Sequence, residues 1–245
     1  MAMADFPFEV VKTSGEVALA AWEDLKKSGR GTPVVLGDKI EDFLPACNPV
    51  QAARLPLVRD ILAEAKSINF PDDLLRFRRE EFARAMAVLS KTNPSISIEL
   101  DEEEYVPPLG DWPAEASDSP GLSVLYDFAA RKIRSSVRIA LIPTDDPTTI
   151  PAHLHWGNWN ACPPPAHHVA ALRLWRDRYG AELVGIDGDT LNLRVSRKPA
   201  TREEALELAR VQHIYCNDII DQGVGSYRAL ATELMAHDWW YFWWD

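Results

Sequence analysis

The sequence predicts an α/β fold, with α+β as the alternative, in which flanking helices cover a mixed sheet. The chain has 245 residues, of which 47% are apolar, and this is long enough to bury a core without disulfides or metals. Short apolar segments bounded by Gly, Pro, Asn and Asp alternate with longer segments that carry apolar residues at helical spacing. These observations favour strands and helices that follow one another along the chain.

Residues 1–90 are predicted to form a β-α-β unit followed by helices. Phe6–Val11 alternates like a strand, the next segment has one apolar side, and Thr32–Leu36 is typical of a short buried strand closed by Gly37. A strand, a helix and a strand within about thirty residues usually form a parallel pair. Two helices with apolar faces then follow, the second opened by Pro71.

Residues 91–120 are predicted to be an acidic, proline-rich connector. The chain has 26 Lys and Arg against 37 Asp and Glu, a formal charge of −11, and residues 99–120 contain eight acidic and no basic residues. Such a segment is most often a solvated connector. The alternative is an acidic surface that attracts a basic partner.

Residues 121–245 are predicted to form a C-terminal α/β domain. Val137–Ile142 is a strand, and two strands flank the hairpin turn Asp187–Asp189. Thr201–Glu204 matches a helix capping box. Trp239–Trp244 places aromatic side chains on both faces of a strand, and we therefore expect this Trp-rich strand to lie in the interior of the sheet.

Three segments together carry a family resemblance. They are Trp156–Pro163 (WGNWNACP), Tyr215–Gly223 (YCNDIIDQG) and Tyr241–Asp245 (YFWWD). With them, and with Pro33–Asp38 (PVVLGD) near the start, the chain resembles the bacterial family known as domain of unknown function 4253, over Ile139–Asp245 and more loosely over the N-terminal β-α-β unit. The resemblance implies a bacterial intracellular protein, and it implies no activity.

The predicted loop around Trp156 is the first candidate site. It combines two indoles with two amides, a mixture that suits recognition of a polar ligand or a peptide. The alternative is a structural loop, in which the asparagines satisfy the local backbone and the indoles fill the edge of the core. The binding residues predicted on this basis are Trp156, Asn158, Trp159, Asn160 and, from a facing loop, Gln222.

A second candidate is a set of thiols and imidazoles. Cys162 and His168 have the residue types of a nucleophile and a general base, with Asp218 or Asp221 to orient the histidine. Cys162, His168 and Cys216 are also weak candidates for zinc ligands, although their spacing matches no known zinc motif. Inert packing of buried cysteines is the default for all of these residues.

The function expected from these features is a non-enzymatic bacterial protein-binding module, of an immunity or adaptor type. The alternative is a small hydrolase or transferase that uses Cys162 and His168 with the Asp218–Gln222 loop. We expect a basic protein partner, no cofactor apart from the zinc possibility, no general nucleic-acid binding and no membrane association. Cytoplasmic location is expected, with Cys47, Cys162 and Cys216 as unpaired thiols, and the oligomeric state is left open.

Overall fold

A six-stranded mixed sheet organises the chain, which is described by a computed structural model at residues 6–43, 54–92, 106–119 and 121–245. The strands, in chain order, are β1 (Glu9–Thr13), β2 (Thr32–Val35), β3 (Tyr126–Asp127), β4 (Lys132–Ile133), β5 (Val137–Ile142), β6 (Glu182–Ile186), β7 (Thr190–Arg194) and β8 (Trp239–Trp243). The strand order in the sheet is β1-β5-β2-β6-β7-β8, while β3 and β4 form a separate two-stranded ribbon. The β2–β6 pair is parallel, and the other pairs of the sheet are antiparallel. The predicted α/β class with a mixed sheet is confirmed.

Helices cover both faces of this sheet. They are α1 (Ala18–Ser28), α2 (Val58–Ser67), α3 (Asp72–Thr92), α4 (Ile150–Leu154), α5 (Pro165–Tyr179), α6 (Arg202–Tyr215) and α7 (Tyr227–Ala236). A π-helical segment, Ile219–Val224, connects α6 to α7. Half of the capping box predicted at Thr201 is present, because Thr201 Oγ1 accepts from the backbone N–H of Glu204. The Glu204 carboxylate accepts from the N–H of Ala200, one residue before the N-cap, in place of the N–H of Thr201.

The two faces of the sheet have separate cores. Helices α5, α6 and α7 bury the first face in a large aromatic cluster, where Trp175 stacks on Phe242 with ring centroids 5.2 Å apart. Helix α1 and the segment around Val124 cover the second face, where Trp22 is buried and donates its indole N–H to the carbonyl of Pro33. Alternation along β2 sends Val34 to the first core and Val35 to the second.

The N-terminal strands are not the adjacent parallel pair that the sequence predicts. Strand β5 lies between β1 and β2 and is antiparallel to both, so that Val11 and Val35 both pair with Ile139. Helix α1 connects β1 to β2, and the expected order of elements is therefore correct while the pairing is wrong. The physical reason is that β5 is almost entirely buried and takes an interior position, in which a strand pairs with its backbone on each side.

The Trp-rich strand β8 lies at the edge of the sheet, and the prediction of an interior position is wrong. Among the described strands, its backbone pairs with β7 alone, over five residue pairs from Thr190↔Trp243 to Arg194↔Trp239. One face is fully buried, through Trp240, Phe242 and Trp244, and the other face is only half-buried. The aromatic residues of that second face are thus explained by partial packing, as for Trp239 against the second core.

Strands β1 and β2 come from residues 1–90 and lie in the same sheet as β5–β8 of residues 121–245. The division of the chain at an acidic connector stays a prediction, since residues 93–105 and 120 are outside the described residues. Cys47 is also outside them, whereas Cys162 and Cys216 are free thiols. Among the described helices, none combines the length and apolar composition that a membrane span requires.

Candidate functional site

The predicted binding loop lies at the carboxyl ends of the parallel strands β2 and β6. In sheets with parallel strands, ligands bind preferentially at that edge. Strand β6 runs directly into the hairpin turn at Asp187, and the indole N–H of Trp156 donates to the carbonyl of Asp187 at 2.7 Å. Trp156 is 3% exposed, and its indole therefore anchors the loop to the sheet and presents no free surface of its own.

The rest of the loop is shaped by residues with left-handed backbone. Asn158 and Asn160 have φ of 71° and 46°, which asparagine tolerates better than most residues. Gly157 has φ of 110°, and a Cβ at this position would lie 2.2 Å from the carbonyl oxygen of Pro163. Both asparagine side chains are exposed, while Trp159 is half-buried with its ring edge-on to that of Trp156.

Two loops that are far apart in sequence meet here through Asp245. The side-chain amide of Asn160 donates to the carbonyl of Asp245 at 2.5 Å, and the N–H of Asp245 donates to Asp218 Oδ2 at 3.1 Å. The amide of Gln222 donates to the other oxygen of Asp218 at 3.0 Å. The sequence-predicted residues Asn160, Asp218 and Gln222 are thus brought together, although they come from different segments.

This edge of the molecule is rich in carboxylates. We call the group formed by Asp187, Asp189, Asp218, Asp221 and Asp245 the acidic rim. Asp189 and Asp245 are exposed. Asp189 is tied to the same edge because its carbonyl accepts from the N–H of Trp244. Asp221 contacts Asn217 and His213.

Asp187 is a half-buried carboxylate of the acidic rim whose pKa is shifted. Burial raises its pKa to about 7, and the neighbouring charge of Asp189 acts in the same direction. Backbone N–H groups of Asp189 and Thr190 donate to its Oδ1, and together with Arg134 they oppose the rise of this pKa. The charge of the acidic rim therefore changes near neutral pH.

Cys162 and His168 are close together, as the sequence suggests, but they lie beneath the loop in the core. Nε2 of His168 is 3.5 Å from Sγ of Cys162, and its Nδ1 is hydrogen-bonded to the hydroxyl of Tyr215 at 2.5 Å. Cys162 is 4% exposed and His168 is fully buried. The rings of Trp156 and Trp244 pack against His168.

The environment of this group keeps all its members uncharged. Burial raises the pKa of the Cys162 thiol far above its ordinary value, and burial lowers the pKa of His168 to about 3. Burial also raises the pKa of Tyr215. A nucleophilic cysteine requires a thiolate, whereas this pair is a neutral thiol beside a neutral imidazole.

The residue that orients His168 is Tyr215, and the expectation that Asp218 or Asp221 does so is wrong. The carboxylate of Asp218 accepts hydrogen bonds from the side-chain amide of Gln222 and the backbone N–H of Asp245. The carboxylate of Asp221 contacts the imidazole of His213. Tyr215 is not among the site residues predicted from the sequence, although it directly precedes Cys216 in a segment that carries the family resemblance. Its place in that segment is the signal that the sequence contains, whereas its burial at the end of α6 is seen only in the structure.

Residues 138–245 match the family model described as Domain of unknown function (DUF4253). These residues form a DUF4253 domain. The match agrees with the resemblance over Ile139–Asp245 and contains every residue of the acidic rim. No curated protein and no solved structure matches the chain.

The weak zinc candidates of the DUF4253 domain are used in other contacts. Sγ of Cys216 donates to the carbonyl of Trp243 at 2.9 Å, and burial raises the pKa of this thiol to about 12. A zinc site needs about four convergent ligands. Throughout the part of the chain that the structure describes, no group of three or more His, Cys, Asp or Glu side chains is arranged to hold a metal ion.

Proposed function

We propose that the protein is a non-enzymatic binding module that takes a basic segment of a partner protein on the acidic rim. The observation that carries this proposal is the convergence of carboxylates from three separate segments beside the loop of Trp159. Asp187 and Asp189 come from the β6–β7 turn, Asp218 precedes the π-helical segment, and Asp245 follows β8. Hydrogen bonds join all three segments to the loop or to its neighbours.

The chemistry of the acidic rim suits a partner that carries lysine or arginine. Opposite charges across an interface increase the association rate and favour the correct partner, and salt weakens both effects. Trp159 adds an aromatic surface of the type that often dominates binding energy. The exposed amide of Asn158 adds a donor and an acceptor beside it.

The alternative, a hydrolase or transferase built on Cys162 and His168, has less support. The observation in its favour is that Sγ of Cys162 and Nε2 of His168 are 3.5 Å apart, which suits a nucleophile and a general base. However, a substrate would have to displace the loop of Trp156 to reach a thiol that is 4% exposed. The raised pKa of Cys162 and the lowered pKa of His168 also oppose transfer of the thiol proton to the imidazole, so the thiolate that nucleophilic catalysis requires is scarce.

The proposal is tested with matched neutralising variants. A rim variant, Asp189→Asn with Asp245→Asn, and a connector variant, Asp111→Asn with Glu115→Gln, each remove two exposed carboxylates. The probe is a short peptide containing lysine, arginine and one leucine, with its glutamate counterpart as a control, measured by fluorescence anisotropy at two salt concentrations. We expect the rim variant to weaken binding at least about fivefold, or ~1 kcal/mol, and the connector variant to have little effect. Equal weakening by both variants would show that only net charge matters and would overturn the proposal.

The same variants identify a natural partner. Proteins captured by the native chain, the rim variant and the connector variant are quantified in parallel by mass spectrometry. A specific partner is lost with the rim variant alone and is released by salt. An immunity or adaptor role, a bacterial origin and a cytoplasmic location belong to this proposal. A toxin gene beside the gene for this protein would favour the immunity role.

A further inference from the structure

A groove of about 540 Å³ opens on the second face of the sheet, away from the helices that cover the aromatic cluster. It is lined by Leu122 and Trp239, by residues in and just before the start of α1, and by residues of the β3–β4 ribbon. A volume of several hundred cubic ångströms is the size of typical small-molecule sites.

The ribbon gives this groove an exposed aromatic and aliphatic wall. Tyr126 pairs directly with Ile133 across the two strands, so their side chains lie on one side of the ribbon. The rings of Tyr126 and Phe128 pack edge to face at 5.1 Å. Phe128 is 63% exposed and Ile133 is 50% exposed, and this apolar surface is therefore available to a ligand.

Among the described residues that line the groove, Glu16 is the only one that carries a charge. The neighbouring charges of the ribbon, Asp127 and Lys132, form the other cross-strand pair and lie on the opposite side of the ribbon. Within the described residues, Glu16 has no ion-pair partner. The groove thus combines apolar and aromatic walls with one unpaired negative charge.

We propose that this groove binds a small organic cation, an amine with an aromatic or short alkyl body. The apolar body would lie against Phe128, Ile133 and Trp239, and the ammonium group would lie beside Glu16. Aromatic rings also attract cations through their faces, which adds to the preference for a positive ligand. This site is independent of the acidic rim and does not rest on the proposed function.

Calorimetry with three probes of similar shape tests the proposal. The probes are 2-phenylethylammonium, the neutral 2-phenylethanol and the anionic 3-phenylpropionate. We expect the cation to bind most tightly to the native protein. Glu16→Gln should reduce its affinity at least about fivefold and should remove its advantage over the alcohol. Phe128→Ala should weaken the cation and the alcohol together, because it removes part of the apolar wall.

Two control variants separate this site from general attraction of a cation. Glu64→Gln removes an exposed carboxylate on α2, and the rim variant neutralises Asp189 and Asp245. Both should bind the cation as the native protein does. Thermal unfolding of each variant confirms that it is folded. The proposal is overturned if no probe shows saturable binding up to about 10 mM, if the three probes bind equally well, or if Glu16→Gln has no larger effect than the controls.

Discussion

The side-chain amide of Asn160 donates a hydrogen bond to the carbonyl oxygen of Asp245, at 2.5 Å and across 85 positions of sequence. Asn160 has a left-handed backbone, with φ of 46°, and so has Asn158 two residues earlier. Of these two asparagines, only Asn160 is linked in this way to the segment that follows β8. The two asparagines therefore share a backbone conformation and an exposed position, and they differ in the hydrogen bond that the side chain of Asn160 makes to Asp245.

This difference predicts different effects for Asn160→Gly and Asn158→Gly. Glycine accepts a positive φ without strain, and the first change therefore removes mainly the hydrogen bond to Asp245, which contributes about 0.5–1.5 kcal/mol. Asn158→Gly removes no such hydrogen bond and should alter the free energy of unfolding by only a few tenths of a kcal/mol. Urea unfolding at an unchanged m value measures both. Equal destabilisation by the two variants would mean that the bond to Asp245 contributes nothing.

Alanine is a less suitable probe at these positions. A left-handed backbone at alanine costs an additional ~1 kcal/mol or more, which would be mistaken for loss of a side-chain contact. We therefore expect Asn160→Ala to be less stable than Asn160→Gly. The difference between these two variants measures the strain at this position independently of the hydrogen bond.

Asp187→Asn should stabilise the protein at alkaline pH. The pKa of Asp187 is raised to about 7 in the folded state, from a usual value near 3.8. The folded state therefore holds a proton between pH 4 and 7 that the unfolded state has lost, and stability falls as the pH rises through this range. We expect Asp187→Asn to gain on the order of 1 kcal/mol at pH 8, since partial exposure screens the charge, and to match the native protein near pH 4.

Urea unfolding at pH 4, 6 and 8 tests this expectation, with Asp111→Asn as the control. Asp111 is exposed, and its neutralisation removes the same formal charge from another part of the molecule. A gain for Asp187→Asn that is equal at all three pH values would contradict the assigned pKa. So would an equal gain for the control.

Local sequence signals predicted the elements well and their long-range arrangement poorly. The hairpin at Asp187–Asp189 and the cap at Thr201 depend on neighbouring residues, and both are present. The insertion of β5 between β1 and β2 depends on pairing across more than a hundred residues, for which a single sequence contains no local pattern. The alternation of aromatic residues in β8 correctly predicted a strand. It did not distinguish an interior strand from an edge strand whose second face is partly packed, because both have aromatic residues on both faces.

For the candidate site too, local features were predicted from the sequence and long-range contacts were not. The composition of the Trp156 loop suggested a polar, exposed surface, and Asn158 and Asn160 are indeed exposed. The spacing of Cys162 and His168, six residues apart around the start of α5, was compatible with contact, and the contact exists. Burial of this pair was not visible in the spacing, since it depends on Trp244 and Tyr215 from distant segments.

Cys162 and Cys216 should be protected from alkylation in the native protein. Both thiols are buried, and burial raises the pKa of each, so that thiolate is scarce at neutral pH. We expect iodoacetamide to label them only after denaturant is added, with peptide mass spectrometry to locate the label. Rapid labelling of Cys162 at pH 7 in the folded protein would contradict this expectation and would favour the catalytic alternative.

His168 should make the protein sensitive to acid. Its pKa is about 3 in the folded state, against 6.5 for an ordinary histidine. Below pH 6.5 the unfolded chain takes up a proton at His168 that the folded protein does not. The contribution of His168 to the free energy of unfolding is therefore fully present above this pH and is lost as the pH falls toward 3. The expected slope is up to about 1.4 kcal/mol per pH unit. It is best measured in the Asp187→Asn background, because Asp187 has the opposite dependence between pH 4 and 7.

His168→Gln removes the titrating group and keeps a side chain able to donate and accept hydrogen bonds. This variant is expected to be less stable at pH 7, since the contacts with Tyr215 and Cys162 are imperfectly replaced, and the slope of stability against pH is therefore compared in place of the absolute stability. We expect a flatter slope between pH 6 and 4 than in the Asp187→Asn parent. The lowered pKa values of His153 and His167 remain in both proteins and act in the same direction, so that the difference between the slopes belongs to His168. Identical slopes would mean that His168 is protonated in the folded state, and the uncharged state of the Cys162–His168–Tyr215 group would then be wrong.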